Sequence, residues 1–191
     1  MNAHHALVRS LMPEVFQAER SASRHARIEA HRLGPVPPGN TLLAVAEHAD
    51  RALTELGNLS ETLQLPGRLA GQTVGAAFSV LRDGIGDHLL DPSRSYRGTL
   101  LGVHHGIEAV WLLHATARRA PDLQPLEAWS ADWLATRIRL AEACVDALDW
   151  FAAFPEAAAR PPVPTPLARV RDGMDALVAA GMRRGLGLVR A

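Results

Sequence analysis

No lysine occurs anywhere in the 191-residue chain, so all 20 of its basic side chains are arginine. Without a lysine amine there is no internal Schiff base and no P-loop lysine, which removes pyridoxal-phosphate enzymes, class I aldolases and P-loop nucleotide hydrolases. The bias toward Ala, Arg, Gly and Pro is also what a genome rich in G and C produces, but the chemical exclusions hold whatever its origin. Cysteine is nearly as scarce. Cys144 stands alone, so no intrachain disulfide, CxxC redox pair or thiolate-rich zinc site can form, and a reducing cytoplasm is the expected compartment.

Excess charge of either sign is missing too. Arginines and carboxylates both number 20, and a chain so balanced carries no electrostatic footprint for DNA, RNA or anionic lipid. Long apolar runs are absent: uncharged stretches such as Gly98 to Ile107 stop well short of the ~18 residues that cross a bilayer. The first ten residues carry no apolar signal-like segment, so neither secretion by that route nor membrane insertion is expected. No GxSxG elbow, HExxH pair, Walker sequence or Rossmann fingerprint is found, and Gly84-Ile-Gly86 is a fragment without its strand.

What remains is an ordinary globular composition, 48% apolar and 21% charged, expected to fold as one domain over residues 1–191. Period-2 alternation is lacking and Pro/Gly breaks recur, notably Gly34 to Gly39, Leu65-Pro66-Gly67, Asp91-Pro92, Pro121 to Pro125 and Pro155 to Pro166. The pattern predicts an all-α protein, an antiparallel bundle of about six helices near 11–33, 41–63, 68–90, 92–119, 126–154 and 166–188. Residues 1–10 then form a loose leader carrying His4 and His5, and the Pro-rich stretch 155–165 links to the last helix. Asn40, Asp91 and Thr165 are expected N-caps.

Helical projection assigns the faces. In the second helix Leu42, Ala46, Ala49, Leu53, Leu56 and Leu63 form one stripe, leaving Glu47 and His48 solvated. The fifth helix buries Leu126, Trp133, Ala141, Cys144, Leu148 and Phe151, which makes Cys144 a small core residue. In the fourth, Leu100, Leu101, Val103, Ile107, Val110, Trp111, Leu112 and Leu113 point in nearly every direction, so it is expected at the centre. Its glycines at 98, 102 and 106 make a flat stripe whose expected counterpart is Gly71 and Gly75.

Polar residues that interrupt apolar faces are the candidate site. The first-helix stripe Leu11, Val15, Ala18 and Ala22 runs into His25 and Glu29, a His-x-x-x-Glu pair. His88 sits mid-face in the third helix, and His104 and Glu108 repeat the spacing in the fourth. Imidazoles and carboxylates from facing helices are the donors of a mononuclear zinc or non-haem iron site. Hemerythrin shares the His-x-x-x-Glu element, but its His-x-x-x-His and His-x-x-x-x-Asp elements and the ferritin-like Glu-x-x-His pairs do not occur here. The same residues also suit a satisfied buried network, with Arg97 or Arg137 neutralising a carboxylate, or acid–base chemistry without metal. His31, His48 and His114 are read as peripheral and Trp111, Trp129, Trp133 and Trp150 as packing material. With no catalytic signature and no cofactor required, the expected function is non-enzymatic: binding a protein partner or forming a homo-oligomer. The alternative is a metal- or small-ligand-binding bundle, with a metal-dependent enzyme as its catalytic form.

Overall fold

A computed structural model describes residues 3–67 and 91–159. Among them the protein is all-α: α1 (Ala3–Leu33), α2 (Pro37–Thr62), α3 (Pro92–Ala117), a 3₁₀ turn (Pro121–Leu123), α4 (Gln124–Asp146) and the short α5 (Leu148–Ala153) and α6 (Pro155–Ala158), with no strand. The predicted helices at 68–90 and 166–188, with Gly71, Gly75, His88, Thr165 and most of the Pro-rich link, lie outside the described residues. Among those described, no helix is long and apolar enough to cross a membrane.

The expected leader is instead the first two turns of α1, which runs unbroken through Pro13. An interior proline costs about 3 kcal/mol by removing one backbone hydrogen bond and crowding the preceding turn. Val8, Leu11 and Met12 before that position and Val15 and Phe16 after it are buried, and each contributes about 1.5–3 kcal/mol. Burial therefore outweighs the proline. His5 also reaches Asp122 at 2.7 Å and pins the start of α1 to the 3₁₀ turn.

At the α1–α2 corner Gly34 takes φ +78° and its N–H bonds the Ala30 carbonyl at 3.0 Å, closing α1. The helix then restarts earlier than expected, at Pro37 with Val36 rather than Asn40 as its cap residue. Proline is well suited to a first helical position because its missing N–H has no intrahelical partner there. The corner is so tight that a Cβ on Gly39 would lie 2.1 Å from the Gly34 carbonyl oxygen. At α3 the cap is as expected: Asp91 accepts from the Arg94 N–H at 2.8 Å. The helix predicted over 126–154 breaks near Ala147, where the Trp150 N–H turns back to the Ala147 carbonyl in an i+3 bond at 3.2 Å and α5 begins.

Each of the four long helices packs on two others: α1 on α2 and α3, and α4 on α2 and α3. Their buried residues form two clusters. One gathers Val8, Met12, Phe16, Leu56, Leu113, Leu126 and Trp133, the other Ala26, Leu42, Val45, Tyr96, Val103, Cys144 and Phe151. Along α1 and α4 the chain passes from the first cluster to the second, and along α2 and α3 in the reverse sense.

The expectation that the helix at 92–117 is central is overturned. It leaves Leu101 71% exposed, Trp111 51% and Leu112 49%. Gly106 rests on α1, where an added Cβ would meet Ala18 Cβ at 3.6 Å. Apolar residues around a helix thus report two different faces here, one buried and one displayed.

Candidate functional site

Of the five residues singled out by sequence, the four that are described are not grouped to hold a metal ion. His25 and Glu29 are buried on α1, whereas His104 and Glu108 are exposed on α3 and His88 lies outside the described residues. Glu29 is held by Arg32 in a bidentate pair, at 2.9 Å from Nε and 2.6 Å from Nη2. It also accepts from the Ser95 hydroxyl at 2.8 Å, which ties the end of α1 to the first turn of α3. Among the described residues no group of three or more His, Cys, Asp or Glu side chains is arranged to hold a metal ion. Arg97, a proposed neutraliser, is exposed and donates to the Ser93 carbonyl at 3.2 Å.

Arg137 does neutralise a buried carboxylate, but that of Glu19. Both side chains are 1% exposed and meet at 2.7 Å. Arg137 Nε also donates to His48 Nδ1 at 3.0 Å, and its guanidinium lies 4.8 Å from the centre of the Trp133 ring, a cation–π contact. Glu19, His48 and Arg137 come from α1, α2 and α4; Glu19 and Arg137 fall between the residues of the two apolar clusters along their helices, and His48 sits next to Ala49, the last second-cluster residue of α2. On α3 the residue at that level is Gly106, whose Cβ position is 4.0 Å from Glu19 Oε1. Three helices contribute a polar side chain to one layer, and the fourth contributes none.

His48, expected in solvent, is therefore buried. The observed α2 face is Leu42, Val45, Ala46, Ala49, Ala52 and Leu56, and His48 stands three residues from Val45 and four from Ala52, inside that face. Glu19 was legible in the same way, four residues after Val15 and three before Ala22, both buried. A lone carboxylate on an apolar stripe and a lone arginine on another are the signal of such a pair.

Electrostatics follow from burial. Desolvation raises the Glu19 carboxyl above its ordinary range, opposed chiefly by Arg137, and the Arg137 guanidinium is itself lowered by burial, opposed by Glu19. His48 is pushed down to about 4 by burial and then by Arg137 and Arg51. The imidazole is thus neutral, with Nδ1 accepting and the proton on Nε2. Glu19 Oε1 and Trp133 Nε1 complete no hydrogen bond. Arg137 Nε and Nη2, His48 Nδ1 and Glu19 Oε2 are engaged with one another, which suits a structural lock better than an acid–base pair. Cys144 is buried with its thiol raised by desolvation, and its carbonyl accepts from the Tyr96 hydroxyl at 2.8 Å. It is core, as expected, not a nucleophile.

The outward side of α3 is different. Between α3 and α4 runs a groove of about 410 Å³ lined by His104, Ile107, Trp111, Ile138, Ala141, Glu142, Val145 and Asp146. Leu101 and Leu112 are also exposed on α3, and Val145 is 45% exposed on α4. Trp111 is thus a surface residue, which corrects its reading as packing material, while Trp133 is buried and Trp129 and Trp150 are half-buried. Of the other peripheral histidines, His31 is exposed and His114 is half-buried with Nδ1 3.0 Å from Ser130 Oγ.

Comparison with protein-family models, with curated proteins and with solved structures finds no match for this chain.

Proposed function

We propose that the protein is non-enzymatic and acts by binding protein through the outward face of α3 and the groove beside it. The observation that carries this reading is the exposure of Leu101, Trp111 and Leu112 on α3, with Val145 across the groove from Trp111. Apolar side chains exposed singly need no explanation, but three large ones displayed by one helix, beside a groove lined by Trp111, Ile107 and Val145 with His104, Glu142 and Asp146, have the composition of a binding surface. The scaffold behind it is read as a single antiparallel bundle over residues 1–191, working in the cytoplasm, where the lone buried cysteine stays reduced.

A photo-crosslinking amino acid placed at Leu112 tests the reading, with the same group at the exposed Arg51 of α2 as reference. In cells expressing the chain, position 112 is expected to give discrete protein adducts and position 51 none. Equal or absent crosslinking at 112 would overturn it.

A further inference from the structure

We infer that the occupant of this face is a second copy of the chain, and that two copies of α3 lie antiparallel about a two-fold axis level with Gly106. The inference rests on the reading of the face as a binding surface and identifies its partner.

The exposed positions of α3 in its middle three turns are Leu101, His104, His105, Glu108, Trp111 and Leu112. A two-fold axis level with residue 106 exchanges position 104 with 108 and position 101 with 111. Antiparallel pairing therefore sets His104 against Glu108 of the second copy, and Leu101 against Trp111 of the second copy, twice each. Leu112 falls beside the same Leu101. An isologous interface must be self-complementary in this way, each group meeting its opposite when the patch is turned onto itself. Here an imidazole N–H donor meets a carboxylate acceptor at the centre, and apolar side chains meet at both ends.

Three further features agree. His104 and Glu108 are spaced i, i+4 on one helix, yet no ion pair joins them in the structure, and each is left to pair elsewhere. His105, on the α1 side, already lies 3.5 Å from Glu14, so it does not compete. The like charges that the two-fold would bring to the rim, Arg94 and Arg118, each have a carboxylate of their own, Asp91 at 3.5 Å and Glu127 at 3.9 Å. The groove admits the edge of the second copy, with the Trp111 indole as its anchor. A surface centred on one helix is small for an obligate dimer, and association in the micromolar range is expected.

Sedimentation equilibrium of the purified full chain tests the pairing. The wild type is expected to dimerise, and each single variant to raise Kd by about tenfold, His104→Glu through like-charge contact across the axis and Glu108→Arg through loss of the carboxylate acceptor. The double variant His104→Glu/Glu108→Arg restores opposite charges and is expected to recover most of the affinity. Trp111→Ala should weaken the dimer by about tenfold or more, whereas Leu43→Ser, an exposed apolar residue on α2, should not. Circular dichroism of each variant confirms that the monomer is folded. A wild type that stays monomeric up to roughly 100 µM, or a double variant as weak as either single one, overturns the inference. Monomers together with adducts at position 112 to other proteins would leave the binding face standing with a different occupant. No adduct at all would overturn both readings.

Discussion

Removing either member of the Glu19–Arg137 pair is expected to cost far more than removing both. The pair is 2.7 Å long with each side chain 1% exposed, so Glu19→Gln strands a guanidinium between two apolar clusters and Arg137→Met strands a carboxylate. Breaking a buried pair by taking one partner typically costs about 3–5 kcal/mol, whereas apolar residues of similar volume in place of both are often neutral. Glu19→Leu/Arg137→Met should therefore cost much less than the sum of the single changes. What remains is about 1–3 kcal/mol for the unpaired His48 Nδ1 that Arg137 Nε had served. Urea denaturation followed by circular dichroism at pH 7 measures all three variants.

The singles should also separate by pH. Burial raises the Glu19 carboxyl and Arg137 is the main influence lowering it, so without the arginine the folded state binds a proton that the unfolded state releases above pH 4.5. Protons bound in the native state make stability rise as pH falls. Relative to the wild type, Arg137→Met should recover stability as pH falls toward 4.5, and Glu19→Gln should not. Single variants that each cost under about 1 kcal/mol and add to give the double would refute the lock.

Other consequences are testable in the same way. His48 carries the opposite sign: its pKa is about 4 folded against 6.5 as the ordinary value, so the unfolded state binds the extra proton between those pH values. Stability should fall by about 3 kcal/mol as pH drops from 6.5 to 4, and His48→Leu should lose that part of the slope in urea titrations. Two glycines should respond oppositely to alanine. Gly39→Ala forces a Cβ to 2.1 Å from a backbone carbonyl and should destabilise by about 1–3 kcal/mol. At Gly106 the added Cβ meets its neighbours at 3.6 Å and 4.0 Å, and better helix propensity should stabilise by about 0.5–1 kcal/mol in thermal melts. The buried Cys144 thiol should react with an aromatic disulfide reagent no faster than the protein unfolds, and immediate labelling in native buffer would contradict its placement.

Helical character, the Asp91 cap and the core role of Cys144 were legible because each depends on local signals: periodicity, a capping carboxylate before proline, and an apolar face. Two kinds of error had a common physical origin. The sequence predicts a first helix from residue 11 and a break over Gly34 to Gly39, yet α1 begins at Ala3 and carries Pro13 in its interior through the burial of Val8 and Met12, and Pro37 opens α2. Local propensity was overruled by packing, which a single segment does not disclose. The faces of α2 and α3 were misjudged because a stripe three or four residues wide can be centred on either edge. On α2 a small rotation carries His48 inside. On α3 the apolar residues divide between a face on α1 and a face on the surface, and only tertiary contacts say which is which. The His-x-x-x-Glu spacing of His25/Glu29 and His104/Glu108 was read correctly as a neighbouring pair in each helix. What spacing could not reveal is that one lies buried and the other on the surface.

The pairing of α3 with itself is tested most directly by its register. Two single-cysteine additions, His104→Cys and Glu108→Cys, are mixed under mild oxidation, with the buried native Cys144 out of reach. Antiparallel packing about residue 106 predicts that the mixed disulfide between position 104 of one chain and position 108 of the other forms faster than either homodisulfide. Disulfides that form at statistical rates, or a homodisulfide that dominates, would contradict the self-complementary face.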